Sequence, residues 1–458
     1  MGPNPYRSFP ISPSKKAAWR VGAPLFAVVL WLLLWANLDT GFWDIAVSDT
    51  IGGWLSAIRG SLTFVVLPLS AFILIRKSTL ALPGMAPSRL LFIYGILATI
   101  SGIFSPEPMW AAYWSIAYLA TILTAWTFVD GRFPVESART MLSITWVATF
   151  LVAAYLGHSS STLIFGHSVS AFNRPEAGLD KLSRASGVAR WAAVPGLVSA
   201  VRAFYSRRII PIAIFVAVSG VCFFIVFRMQ SRGAVVGSIA ALAFILVISS
   251  RMRRYALPFM LISTVFLFLI ESPGVISQAV SDYLRRGQSE ELFESMSGRT
   301  HAYEHAMMAI ADAPIFGRGQ WTDRLVFYEH VHNSFLQALL NGGIVGAIPY
   351  FASWIVGWIM FFRLRNKWKW LNREDQLCLL ESGAVMMFFT VRAIPETTTA
   401  SYAVDLLVMV AVYVYLEALT LDVARRRASF SLVPAALAIP RWASSTRSRQ
   451  LPQVISGR

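Results

Sequence analysis

Residues 209–227 read IIPIAIFVAVSGVCFFIVF, nineteen residues without a single charged side chain. A helix of about twenty apolar residues is long enough to cross the hydrocarbon core of a bilayer. Similar runs recur on both sides of this stretch along the whole chain. They lie at about residues 18–36, 59–75, 88–104, 109–128, 138–157, 187–205, 233–250, 255–271, 343–362, 377–393 and 402–421. The sequence therefore predicts an all-α, polytopic integral membrane protein with about twelve transmembrane helices.

The composition supports this prediction. Of 458 residues, 56% are hydrophobic and only 14% are charged, so one water-soluble core could not bury the apolar surface. The formal net charge of +16 would suggest nucleic-acid binding in a soluble protein. Here the basic residues cluster in short loops between hydrophobic runs, and no nucleic-acid partner is predicted.

Lysine and arginine also set the orientation, because positive loops stay on the cytoplasmic side. With the N-terminus inside, basic clusters alternate correctly across all the predicted spans, and both termini are cytoplasmic. Residues 1–17 then form a cytoplasmic tail, 18–423 the transmembrane domain and 424–458 a basic cytoplasmic tail. Two long outer segments, at about 158–186 and 272–342, contain all six histidines.

Four arginines on the predicted outer face depart from the positive-inside pattern: Arg190, Arg232, Arg299 and Arg392. Arginines at helix ends can reach lipid headgroups. Several on one face also suit a phosphate ligand, because each guanidinium binds phosphate oxygens in a bidentate manner and keeps its charge. The pattern favours a diphosphate-bearing lipid as a ligand.

The polar pair His332 and Asn333 begins a predicted helix that continues into a glycine-rich span. Asn333 can cap the helix that follows. A neutral imidazole near arginines can accept a proton from an attacking hydroxyl, since like charge disfavours its protonated form. His332 is the candidate general base, and His330 is expected to tolerate alanine.

Three motifs carry a family resemblance. They are SRGAVVG at 231–237, SGRTHAYEHAMMAIADAPIFGRG at 297–319 and HNSFLQALLNGGIVG at 332–346. In this order they resemble the O-antigen ligase and O-antigen polymerase superfamily of bacterial envelope glycan assembly, over roughly residues 187–363. One position departs from the family: Tyr303 stands where tryptophan is common, which bears on glycan or lipid specificity.

The resemblance implies a multi-helix fold related to the C-type glycosyltransferases, in the bacterial inner membrane with a periplasmic site. It implies an inverting glycosyltransferase of lipopolysaccharide or exopolysaccharide assembly that needs neither cofactor nor metal. The donor is a glycan on undecaprenyl diphosphate, the acceptor is another glycan or a lipid A core, and membrane lipid is a further partner. Arg232 and Arg299 become ligands of the diphosphate and His332 activates the acceptor hydroxyl. Arg190, Arg392, Asn333 and Glu396 are possible supporting residues.

Three alternatives remain open. The string from His301 to His305 matches an inverted zinc-peptidase motif, with Glu396 as a distant third ligand. A polysaccharide transporter or flippase also has about twelve spans with both termini inside, but the chain shows no internal repeat and few acidic residues within spans, namely Glu381 and Asp405. A C-type transferase with an acidic first outer loop would use Asp39, Asp44 and Asp49.

Overall fold

The computed structural model describes residues 25–38, 49–77, 86–129, 133–159, 185–249, 299–326 and 330–436, with five separate positions between 250 and 298. The predicted span 255–271, most of the outer segment 158–186 and most of both tails lie outside the described residues. So do Asp39, Asp44 and the side chain of Asp49.

The described residues form an all-helical protein. Its helices are α1 (Leu25–Asn37), α2 (Asp49–Lys77), α3 (Pro87–Ser101), α4 (Pro108–Val129), α5 (Pro134–Ser159), α6 (Ala185–Tyr205), α7 (Ile209–Arg228), α8 (Arg232–Ile248), α9 (Arg299–Asp312), α10 (Thr322–Val326), α11 (Ser334–Asn366), α12 (Arg373–Arg392) and α13 (Val404–Ala436). Each predicted span within the described ranges falls on a helix. The helical piece predicted at 300–311 is α9, and Asn333 caps α11 as predicted.

Among the residues that the structure describes, six helices are long and apolar enough to cross a membrane by length and composition, against the twelve spans predicted for the whole chain. They are the helices at Pro87–Phe104, Pro108–Val129, Pro134–His158, Ile209–Arg228, Ser334–Asn366 and Val404–Arg426. Three further helices are apolar but shorter within the described residues, and α12 carries Glu381 in its interior and Arg392 at its end. Both side chains are buried against neighbouring helices, so their charge does not face lipid. The count of twelve stays a prediction.

Helix α13 is the centre of the bundle. It packs against α3, α4, α5, α11 and α12, and every residue from Leu406 to Glu417 is fully buried. A helix that is apolar all round is typical of such a core position. One acidic residue that the sequence analysis overlooked lies here: Glu417 accepts hydrogen bonds from the backbone N–H and the hydroxyl of Ser88, both at 2.8 Å.

Basic residues predicted to be cytoplasmic meet at one end of the bundle. Arg139, at the start of α5, pairs with Asp375 at the start of α12 at 3.3 Å. Arg365, near the end of α11, donates to the carbonyl of Ile248 at the end of α8 at 2.7 Å. The arginines predicted to be outside meet at the other end. This separation agrees with the predicted alternation of loops.

Helix α11 is kinked at Gly343, where φ is +57° and ψ −163°. The kink receives the turn after α9: Ile344 N donates to Pro314 O at 2.9 Å, and Arg318 N donates to Leu340 O at 2.8 Å. The glycines of the second and third motifs therefore form one contact, since Gly317 also has a positive φ and approaches the Gly343 backbone.

Gly343→Ala should destabilise the protein strongly. A Cβ there would lie 2.2 Å from the Ile315 carbonyl oxygen, a backbone atom that cannot move aside. The cost should exceed the about 1–3 kcal/mol of a strained backbone alone. The midpoint of thermal unfolding in detergent measures it. Gly220→Ala is the matched control, because a Cβ at Gly220 meets nothing within 4 Å; equal midpoints for both variants would contradict the prediction.

Candidate active site

The site is built on the connection between α12 and α13, residues 393–403, which is irregular yet largely buried. Tyr94 and Asn341 donate hydrogen bonds to the carbonyl of Ala400, at 2.8 and 3.1 Å. Irregular backbone inside a membrane protein is tolerated where protein groups satisfy it. The surrounding helices thus hold Glu396, in the middle of this connection, in a fixed place.

His332 lies in the short segment that leads into α11, and its backbone has φ +50°. A non-glycine residue in this region costs about 1–3 kcal/mol and persists only where its surroundings enforce it. The hydroxyl of Tyr303 donates to the His332 carbonyl at 3.3 Å, and the Asn333 side chain donates to the carbonyl of Ile394 at 3.0 Å. Tyr303, the position that departs from the family, therefore contacts the candidate base.

His332 and Glu396 form a hydrogen-bonded pair, with 3.0 Å between Nδ1 and Oε2. Burial alone would raise the pKa of Glu396, but the hydrogen bond from His332 and the positive charge of Arg392 outweigh it and hold that pKa well below its ordinary value. The carboxylate is therefore ionised and accepts from Nδ1–H. In the neutral imidazole, the lone pair is then on Nε2, the nitrogen that can take a proton.

Arg299 contacts the other oxygen of the same carboxylate, with 2.9 Å between Nη2 and Oε1 of Glu396. Its side chain is partly exposed, and the contact uses one of the five N–H donors of the guanidinium. The structure thus brings Arg299, His332 and Glu396 together from three separate parts of the chain.

Arg232 begins α8 beside the same connection. The Cβ of an alanine at Gly233 would lie 3.3 Å from Pro395 Cγ and 3.9 Å from Arg392 Cγ, so the helix start approaches the connection closely. Arg232 is also near enough to Arg299 for their like charges to interact. Arg232 and Arg299 are therefore near each other, as two ligands of one diphosphate would have to be.

Arg190 and Arg392 share a different carboxylate, that of Asp405 at the start of α13. The Nη1 atoms of Arg190 and Arg392 lie 3.2 and 3.8 Å from Asp405 Oδ2. Arg392 is 2% exposed, and within the described part of the chain its Nε and Nη1 donate no hydrogen bond. Buried donors without acceptors are costly, which suits a site that receives an anion.

Among the described residues that meet around the 393–403 connection, the charges do not balance. The four arginines Arg190, Arg232, Arg299 and Arg392 accompany two carboxylates, Glu396 and Asp405, which leaves two excess positive charges while His332 is neutral. A diester of diphosphate carries two negative charges and matches this excess.

The zinc motif is not assembled as the alternative requires. His301 and Glu304 are exposed on α9, 3.5 Å apart, whereas Glu396 is bonded to His332 and Arg299. Among the described residues, a three-ligand cluster that could hold a metal ion is formed instead by His330, His332 and Glu396, whose ligand atoms lie within 4.8 Å of one another. A cation there would be repelled by the guanidiniums that flank Glu396.

Sequence reasoning missed Asp323 altogether. It is a buried acid in α10 that accepts a hydrogen bond from Nδ1 of His330 at 2.9 Å. The ring of His330 in turn packs against His332, with 4.5 Å between ring centroids. His330 is therefore a poor neutral control for His332. No local pattern marks Asp323, because its partners lie further along the chain.

In the part of the chain that the structure describes, an all-helical bundle with several apolar spans is typical of a polytopic membrane protein, and an arginine-rich polar site lies at one end of it. Residues 215–351 match a family described as O-antigen ligase. The match contains all three motifs and confirms the predicted resemblance to the O-antigen ligase and polymerase superfamily. None of the curated proteins matches this chain.

Proposed function

We propose that this protein is a glycosyltransferase that moves a glycan from undecaprenyl diphosphate to an acceptor hydroxyl, at the periplasmic face of the bacterial inner membrane. The observation that carries the proposal is the excess of guanidinium charge beside an ordered His332–Glu396 pair. A carrier diphosphate supplies the missing negative charge, and an acceptor hydroxyl supplies the proton for the histidine.

In the proposed reaction the acceptor oxygen attacks the anomeric carbon of the glycan. Its proton passes to Nε2 of His332 as the new glycosidic bond forms. The bond between the anomeric carbon and the diphosphate oxygen breaks, and the carrier diphosphate leaves with the electron pair. Displacement from the opposite side inverts the configuration.

The arginines and Glu396 have separate tasks in this scheme. Arg232 and Arg299 neutralise charge that grows on the leaving diphosphate, and fixed cations in a water-poor site do this without reorganisation. Glu396 keeps Nδ1–H engaged, so the basic lone pair stays on Nε2, and it stabilises the imidazolium once the proton has arrived. Arg392 and Arg190 pair with the carboxylate of Asp405 and add further positive charge to the site.

A transfer assay tests the proposal. Purified protein in lipid should convert a glycan on undecaprenyl diphosphate and an acceptor glycan into a longer glycan plus free undecaprenyl diphosphate. A transporter would move the donor across a vesicle membrane without releasing the carrier, and that result would overturn the proposal.

Deleting the gene and sizing the surface polysaccharide separates the acceptors: shorter chains indicate a polymerase, and long chains left on the carrier indicate a ligase.

The proposed location of the site makes a separate prediction. A cysteine introduced at Gln288, in the outer segment, should react with a membrane-impermeant maleimide on intact inner membranes that are accessible from the periplasmic side. The control is a cysteine at Ser444, in the predicted cytoplasmic tail, which should react only after the inner membrane is broken. The reverse pattern would invert the topology and remove the periplasmic site.

A further inference from the structure

Asp323 joins three parts of the segment that carries His332. Its Oδ2 accepts from His330 Nδ1 at 2.9 Å and from the Val331 N–H at 3.3 Å. Its Oδ1 accepts from Nε2 of Gln337, one turn into α11, at 3.1 Å. The carboxylate is 2% exposed, so these bonds form away from water.

The protonation states of this cluster are defined by its contacts. Burial would raise the pKa of Asp323, but the hydrogen bond from His330 lowers it below the ordinary value. Burial lowers the pKa of His330, against the hydrogen bond to Asp323. Asp323 is thus an ionised acceptor, and His330 is a neutral ring that donates through Nδ1.

The cluster reaches His332 by two routes. The ring of His330 packs edge-on against that of His332, with an interplanar angle of 62°. The backbone N–H of Val331, held by Asp323, belongs to the residue immediately before His332. Both contacts involve residues that come just before His332 in the chain. Asn333 and the 393–403 connection, which includes Glu396, come after it.

We infer that Asp323, acting through His330 and the Val331 amide, is a positioning residue for His332. Two buried carboxylates then clamp the candidate base: Glu396 bonds its ring directly, and Asp323 fixes the backbone and the neighbouring ring. The clamp explains how a histidine keeps φ +50° without glycine's freedom. The expected effect of this clamp on the reaction rate rests on the proposed function, whereas its effect on the conformation of His332 does not.

A kinetic test uses Asp323→Ala in the full-length protein in lipid. A misplacement of about 1 Å at a reacting group can cost about a hundredfold in rate, so kcat should fall to this extent. The KM for the lipid-linked donor should change little, because the arginines are untouched. Asp312→Ala is the control, since Asp312 is an exposed outer acid that contacts Arg318 at 3.4 Å. It should leave both constants unchanged.

A conservative variant separates positioning from general destabilisation. The side-chain N–H of asparagine can take the place of His330 Nδ1–H, so His330→Asn should retain much more of kcat than His330→Ala. Equal losses for the two variants, or a normal kcat for Asp323→Ala, would overturn the inference.

A second readout is independent of activity. In protein labelled with ¹⁵N-histidine, Asp323→Ala should shift the ring nitrogen resonances of His332, and Asp312→Ala should not. Unchanged His332 resonances in Asp323→Ala would refute the clamp even in an active enzyme. If the wild type transfers no glycan while these resonances do shift, the proposed function is wrong and the clamp stands.

Discussion

His332→Ala should lower the rate of glycan transfer by about a hundred- to ten-thousand-fold, the usual contribution of a general base. The variant should still bind the lipid-linked donor, because the arginines proposed to bind the diphosphate are unchanged. Steady-state rates with a purified donor and acceptor, together with donor binding in lipid nanodiscs, measure the two effects separately.

The control for this variant is His301→Ala. His301 lies on the same outer segment but is exposed on α9 and outside the His332–Glu396 pair. Its removal should leave the rate unchanged, and a chelator should have no effect on the wild type. The zinc alternative requires the reverse, with His301 essential and chelator inhibitory. Robust turnover by His332→Ala would refute the base assignment.

The second large effect is expected from Arg299→Lys. Lysine keeps the positive charge but loses the planar fork that holds Glu396 with one N–H and can present others to a phosphate. Removing one such donor from a charge-stabilising site costs about a hundred- to a thousandfold in rate. Both kcat and donor affinity should fall, because in the proposed reaction the guanidinium contacts the carrier diphosphate in the ground state and during its departure.

Arg318→Lys is the matched control for Arg299→Lys. Arg318 lies in the turn after α9, and its side chain contacts the exposed Asp312. Its backbone, which a lysine retains, makes the contact with α11. Expression and thermal unfolding of both variants should equal the wild type. Near-normal transfer by Arg299→Lys would reduce Arg299 to a headgroup contact.

Much of the fold could be predicted because the lipid environment leaves a strong local signal. Hydrophobic runs such as 209–227 coincide with α7 almost residue for residue. Glycine and proline after Asp312 predicted the end of α9 and a turn, both of which are present. Asn333 was predicted to cap α11 because capping depends only on the adjacent residues.

The motifs also pointed to residues that the structure brings together, but they did not show how these residues are arranged. Glu396 was named as a supporting residue or as a metal ligand, whereas it bonds both His332 and Arg299, which lie 64 and 97 positions away along the chain. Arg392 was named as a possible supporting residue without a partner, and in the structure it pairs with Asp405. Such pairings have no sequence periodicity from which they could be read.

The sequence by itself therefore determined that the chain lies in lipid, where its helices are and which polar and charged residues are available for the site, because these follow from local hydropathy, capping and charge. Only the tertiary structure decided which carboxylates lie around His332, the candidate base. The segment before α11, the connection after α12 and the buried Asp323 meet through packing of helices distant in the chain. That packing selects Glu396 and Asp323 as the two carboxylates around His332.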